Sequence, residues 1–337
     1  MVLTYLVKAV RLFLVTVMTV ASVIIPGKTQ GKIEPAQDGC RASFAAMSDV
    51  HMKNNFIRQG MFELGLADIK DAKTPLDAVV FDGDNTDRGY DKDWDTFATA
   101  LKKYGITDKA VIAIGNHDTR SHEYVDENGR KVDDVEAIKS TFAHYNKVIA
   151  NRDINETYYS EIVGGCYMIV LGSEDGGTAA TVSQRQIEWF EEQMNLASLT
   201  RLPIFVFFHQ PINGTHGLPY TWEMKDDVPE RGGIGEASDQ ILSIIKKHKN
   251  VFYVSGHIHT GLIAEDAGKG YATVERYDGY TLINLPCYMY PDVIRGGHFA
   301  NGTGLVFEVY DNEVLIRGRN FATGTWLTKY DASIPLK

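Results

Sequence analysis

Five short segments concentrate histidine, aspartate and asparagine in a manner suited to holding metal ions. They are Asp49-Val50-His51, Gly83-Asp84-Asn85-Thr86-Asp87-Arg88-Gly89, Gly115-Asn116-His117-Asp118, His209-Gln210-Pro211 and Gly256-His257-Ile258-His259. Imidazole and oxygen donors without thiolate suit Mn, Fe, Zn, Co or Ni rather than a copper or iron–sulfur centre. One segment alone carries little weight: an Asp-x-His is most often a solvated turn, and Gly-Asn-His-Asp reads as a tight turn with a left-handed Asn. All five follow an apolar run, and together they hold five of the ten histidines. That repetition makes ordinary turns a poor explanation.

The elements that must position these side chains are legible in the same way. Phe44–Met47, Ala78–Phe81, Ala110–Ile114, Ile204–Phe208 and Val251–Val254 are short apolar runs that read as buried strands. In α/β sheets the loops beyond the carboxyl ends of strands form the functional edge, so five strand ends can present the five segments to one point. Amphipathic stretches lie between the strands. Asp93–Leu101 predicts a helix capped by Gly105, and Val135, Ile138, Phe142 and Tyr145 mark the apolar face of another. Ser183 and Ser238 are expected as N-caps of helices carrying Ile187, Phe190 and Met194, and Ile241, Ile244 and Ile245. Gly304–Tyr310 and Glu313–Arg317 predict a hairpin turning at Asp311-Asn312.

In this order the motifs resemble the calcineurin-like metallophosphoesterase superfamily, whose pattern runs D-x-H, G-D-x-x-D/N, G-N-H-D/E, an isolated H, then G-H-x-H. The resemblance spans residues 43 to about 320 and is strongest to the bacterial group of secreted and cyclic-nucleotide-phosphodiesterase-like enzymes. It implies a four-layer αββα sandwich of two mixed sheets with a dinuclear metal site at strand C-terminal ends. One metal would be held by Asp49, His51, Asp84 and His259, the other by Asp84, Asn116, His209 and His257. A carboxylate such as Asp84 can give one oxygen to each of two cations about 3.5–4 Å apart. The implied reaction is hydrolysis of phosphate mono- or diesters by direct attack of a metal-bridging hydroxide. His117 would stabilise the transition state or protonate the leaving oxygen, Asp87 would orient it, and Arg88 would bind a phosphate oxygen. Purple acid phosphatases place a metal-binding tyrosine where this chain has Asp87, so a tyrosinate–iron site is not expected. Two alternatives are a nuclease or nucleotide pyrophosphatase on the same centre, and a catalytically silent metal-dependent binding protein.

The rest of the chain bounds substrate and compartment. Of 337 residues, 44% are hydrophobic, enough for a packed core and too many for a disordered chain. Lys and Arg total 34 against 44 acids, a net charge of −10, which disfavours nucleic-acid or anionic-membrane binding and favours small phosphorylated substrates. Two long loops, 210–237 and 286–300, supply candidate substrate contacts: His216, Tyr220, Trp222 and Arg231, then Tyr288, Arg295 and His298. Cys40, Cys166 and Cys287 are too few and too scattered for a disulfide framework. Lys8 and Arg11 precede an apolar run from Leu12 to Ile25, which predicts export, with residues 1–27 a signal peptide or N-terminal membrane anchor. Residues 28–42 are expected to be a linker and 43–330 the metallophosphoesterase domain.

Overall fold

The computed structural model describes residues 28–200, 202–221, 232–262, 270–289 and 301–337. The expected export segment and the candidates Trp222, Arg231, Arg295 and His298 lie outside the described residues. The first sheet is built on β2 (Ala42–Met47), β3 (Ala78–Asp82) and β4 (Ala110–Ala113), which run parallel side by side. On the other flank of β2 lie β13 (Thr303–Val309), β14 (Glu313–Asn320), β15 (Thr325–Leu327) and β1 (Lys28–Gln30), with β16 (Ala332–Pro335) also paired to β14. The second sheet orders β11 (Val274–Arg276), β12 (Tyr280–Asn284), β10 (Val251–Ser255), β9 (Ile204–Phe207), β8 (Cys166–Val170) and β7 (Tyr159–Val163). Its four inner strands are parallel, and β11 and β7 close it antiparallel. A small hairpin, β5 (Glu123–Val125) and β6 (Lys131–Asp133), stands apart.

Alternation along the strands produces the layers. In β9, Phe205 and Phe207 turn inward to Phe44 of β2, with ring centroids 4.9 and 6.2 Å away, while Phe307 of β13 stacks on Phe44 at 4.7 Å. Ile204 and Val206 point the opposite way, into a second cluster with Phe190 and Met194 of α5 (Gln184–Thr200) and Ile241 and Ile245 of α6 (Ser238–Ile245). On the outer face of the first sheet, Phe81 meets Phe62 of α1 (Phe56–Lys70) at 5.9 Å and Phe97 of α2 (Asp91–Tyr104) at 5.1 Å. Trp94 of α2 stacks at 5.1 Å on Tyr145 of α4 (Val135–Ala150). The one-turn α3 (Asn116–Thr119) follows β4. The result is the expected helix–sheet–sheet–helix sandwich. Removing a buried ring such as Phe44, which touches both sheets, would open a cavity of the kind that costs about 3–5 kcal/mol.

Two of the three expected helix caps form. Gly105 ends α2 in the left-handed region at φ 69°, and Ser183 Oγ accepts from the Gln186 N–H at 3.2 Å. Ser238 is not an N-cap. It is the first residue of α6, and its hydroxyl accepts from the Asn213 N–H at 2.9 Å, tying the helix to the loop after β9. The 304–317 hairpin forms as expected, with Tyr310 N–H donating to Glu313 O at 2.9 Å.

Residues 28–42 are laid on the domain rather than strung out as a linker. Residues 28–30 pair with β15, Ile33 is buried, and the Lys73 N–H donates to Ile33 O at 2.8 Å. Arg319, itself buried, grips the Asp68 carboxylate with two bonds of 2.6 Å and donates to Gly31 O at 2.9 Å. At the other end, β16 extends the sheet beyond the expected boundary at 330. The three cysteines are free thiols. Among the described residues no helix is long and apolar enough to cross a membrane.

Candidate metal centre

The loops that leave β2 and β3 stay zipped together after the strands end. The Asp49 N–H donates to Gly83 O at 3.1 Å, His51 N–H to Asp84 O at 2.8 Å and Asp87 N–H to Met52 O at 2.9 Å. This sets Asp49 and His51 directly against Asp84. The loop after β4 closes in from the other side, where a Cβ at Gly115 would collide with Asp84, so only glycine admits the approach. In the second sheet the Gly256 N–H donates to His209 O at 2.9 Å, aligning the last two segments in the same manner.

Strain marks the site independently of side-chain chemistry. Asp49, His51, Asp84, His257 and His259 all hold positive φ, between 47° and 70°, and they are five of the eight non-glycine residues that do so among the described residues. Such conformations cost of order 1–3 kcal/mol each and persist where the surrounding structure imposes them. Here they turn each side chain inward.

Among the described residues three groups of potential ligands converge: two share Asp84, and a third brings His51, Asp87 and His117 together. Ligand atoms of Asp49, His51, Asp84 and His259 lie within 4.8 Å of one another, and so do those of Asp84, His209 and His257. Asp84 Oδ2 stands 3.3 Å from His209 Nε2, 3.8 Å from His51 Nε2 and 3.9 Å from His117 Nε2. His259 Nε2 is 3.1 Å from Asp49 Oδ1 and 3.0 Å from His51 Nε2, a convergence of ring nitrogens that suits a cation between them. Asn116 is buried with its Oδ1 lacking a hydrogen-bond partner among the described residues. A buried oxygen left unpaired is costly, and a cation would satisfy it. The donor set therefore fits two metal ions.

Neighbouring main-chain groups aim the donors. His209 Nδ1–H donates to Asp82 O at 2.7 Å, which presents Nε2 to the cluster. Asp49 Oδ2 accepts from the His257 N–H at 3.1 Å, and Asp84 Oδ1 from the His117 N–H at 2.8 Å, leaving their other oxygens turned inward. Burial pushes His51 and His257 down to about 3, so both rings are neutral donors near pH 7. Burial also disfavours charge on His209, but Asp84 and Asp49 outweigh it and hold the ring up to about 10. The imidazolium of His209 thus carries a positive charge that a metal ion would replace on loading, with release of its proton.

His117 lies at the edge of this cluster, partly accessible, with Nδ1 3.0 Å from the Asp87 main-chain oxygen. The expected orienting role of the Asp87 carboxylate needs correction. That carboxylate pairs with Arg58 Nη1 and with Lys53 Nζ at 2.9 Å, and it is the carbonyl of Asp87 that touches the ring. Burial would raise the Asp87 carboxyl, but its bonds to Arg58 and Lys53 bring it to about 2. Arg88 is exposed on the same loop. Of the substrate candidates, Tyr220 is exposed, whereas Tyr288 and His216 are buried in structural bonds. Tyr288 donates its hydroxyl to Met61 O at 3.0 Å, and His216 Nδ1 donates to Ala272 O at 2.7 Å. Both are corrected to packing positions.

Three residues support the site: Arg58 and Arg120, which no motif singles out, and Asp118, which closes the Gly115–Asp118 segment. Arg58 Nη1 donates to His51 O at 2.7 Å as well as to Asp87. Asp118 accepts from the N–H groups of Gly115, Thr86 and Asn85 at 2.9, 2.7 and 3.2 Å, locking the loops after β3 and β4 to each other. Arg120 sets Nη1 2.9 Å from His117 Nδ1.

A family model described as calcineurin-like phosphoesterase matches residues 42–261. Among solved structures, a dimetal phosphatase from Danio rerio superimposes with a TM-score of 0.58 at 15% identity, covering 88% of this chain and 100% of that one. A purple acid phosphatase from yellow lupin seeds gives 0.55 at 13%, with 90% of this chain and 55% of its own covered. GAP50, the anchor in the inner membrane complex of Plasmodium, gives 0.51 at 12%, with 88% and 90% covered. At such identities the likeness is one of fold. No curated protein matches the chain by sequence.

Proposed function

The chain belongs to the calcineurin-like phosphoesterase family, and from that premise we propose that it hydrolyses small phosphate mono- or diesters by direct displacement at phosphorus, at the cluster centred on Asp84. The sharing of Asp84 by two convergent ligand groups carries this reading. Two divalent or trivalent ions held there would supply Lewis acidity and lower the pKa of a coordinated water towards 7. Asp49, His51, Asp84 and His259 would hold one ion, and Asp84, Asn116, His209 and His257 the other. The chain's own part in the chemistry is to orient these donors through main-chain bonds and to place His117 beside the leaving oxygen. No nucleophilic side chain is required, so no covalent enzyme intermediate is expected.

The test is reconstitution of residues 28–337, which keep β1 and Gly31 on the domain, with Mn²⁺, followed by elemental analysis and assay against phosphomonoesters, cyclic nucleotides and phosphodiesters. Nearly two metal equivalents per chain and chelator-sensitive hydrolysis are expected. A protein that held two ions and cleaved no ester on the panel would be a binding protein instead. We also propose that the protein acts outside the cytoplasmic membrane, on the support of Lys8, Arg11 and the apolar run that follows them. Cell fractionation should place it in the envelope or the medium; recovery from the cytosol with Met1 intact would refute export.

A further inference from the structure

The rim on the outer side of His117 is unusually cationic for a chain of net charge −10. Lys53, Arg88 and Arg120 come from the segments that carry Asp49, Asp84 and Asn116, and Arg58 from the first turn of α1, just beyond the first of them. Their commitments differ. Asp87 occupies both Lys53 and Arg58, and the nearby Glu123 is taken by Lys131 at 2.7 Å. For Arg88 and Arg120 no carboxylate stands within 4.0 Å among the described residues. The two loops abut, since Ser121 Oγ donates to Gly89 O at 2.7 Å, and the charge of Arg88 is felt at Arg120.

The hydrogen bonding around His117 leaves Arg120 with donors to spare. His117 Nδ1 lies 3.0 Å from Asp87 O, which can only accept, and 2.9 Å from Arg120 Nη1, which can only donate, so it serves one of the two at a time. In either tautomer Arg120 keeps most of its N–H donors free of this ring. Two adjacent guanidiniums without an anion are an arrangement that a phosphate completes.

Position determines which phosphate. His117 Nε2 faces Asp84 and the metal-ligand cluster, while Nδ1, across the ring, faces Arg120. A phosphoryl group attacked at the cluster lies on the Nε2 side of the ring, so an anion that Arg120 holds on the Nδ1 side would be carried by the leaving group that His117 serves. We propose that Arg120, with Arg88, forms an anion subsite that takes a second phosphate carried by the leaving group. The preferred substrates are then phosphoanhydrides or bisphosphorylated small molecules. This rests on the phosphoesterase reading of the centre and narrows it.

The proposal is tested by comparing methylenediphosphonate with methylphosphonate as inhibitors of p-nitrophenyl phosphate hydrolysis by the Mn²⁺-loaded chain. The diphosphonate should bind at least about tenfold tighter, the effect of added charge-assisted bonds at a partly solvated site. Arg120→Ala should remove most of that preference, Arg88→Ala part of it, and Arg120→Lys should fall between wild type and Arg120→Ala. Calorimetric titration of metal-free protein with the diphosphonate should show the same order, and it reads the subsite even if the chain hydrolyses nothing. Equal weakening of both inhibitors in Arg120→Ala, or no change in either, would overturn the proposal. Absence of p-nitrophenyl phosphate hydrolysis by wild type alongside Arg120-dependent binding would instead fault the phosphoesterase reading.

Discussion

Asp84→Ala is expected to lose both metal ions and to hydrolyse p-nitrophenyl phosphate more than about 10³-fold more slowly than the parent chain. Losing one preorganised electrostatic donor commonly costs ~10²–10³-fold in turnover, and this carboxylate belongs to both ligand groups. Its removal also leaves the buried His209 ring without the nearest negative charge that sustains its proton. The remaining donors would then be three residues for one ion and, with Asn116, three for the other. Asp49→Ala makes the internal comparison, because Asp49 belongs to one group only and its loss should empty one site before the other. Elemental analysis of both variants, with steady-state rates at saturating Mn²⁺, separates the cases. An Asp84→Ala protein with two bound ions and full activity would refute the shared-ligand assignment.

The ligands could be read from the sequence because metal coordination uses a few residue types and each ligand sits two to four residues past a strand. Strand runs such as Ile204–Phe208 announce where the chain leaves the sheet, and a histidine there has few structural excuses. Other features could not be read, for a physical reason in each case. Arg58 reaches His51 O and Asp87 from a helix that begins after the first ligand loop, so its partners are fixed by the approach of two loops and not by spacing. Arg120 is one more basic residue after a motif until its neighbour is known to be His117 Nδ1. Tyr288 was misread because an aromatic beyond a strand looks like a pocket wall. Its main chain is in fact drawn onto Ser48, with the N–H donating at 2.9 Å, which forces the ring inward against α1. β7 escapes notice because Tyr159–Val163 is partly exposed and its pattern is weak. Residues 28–42 looked like a linker because local composition does not reveal that Arg319, almost three hundred positions away, holds Gly31.

His117→Asn is expected to keep both metal ions and to lose activity in proportion to how badly the leaving group needs a proton. His117 Nε2 is 3.9 Å from Asp84 Oδ2, at the border of the ligand cluster, and the ring is more accessible than those of His51, His209 or His257. That placement suits a proton donor to a leaving oxygen better than a metal ligand. Burial pushes its pKa below the ordinary histidine value, with Arg120 acting in the same direction, so the protonated ring is a stronger acid than free imidazolium. General acid catalysis contributes typically ~10²–10⁴-fold. An alkyl phosphate, which expels a basic alkoxide, should lose most of that factor in His117→Asn, while p-nitrophenyl phosphate, which expels a stable phenolate, should lose clearly less. Asp87→Asn should not copy this pattern. Its carbonyl, which positions the ring, is unchanged, and what it gives up is the carboxylate that anchors Arg58 and Lys53. Its losses should therefore be similar on the two ester types. Equal losses on both esters in His117→Asn, with metals retained, would mean that the ring stabilises charge on the phosphoryl group. Loss of a metal ion in that variant would make His117 a ligand, and the division of the cluster around Asp84 would have to be redrawn.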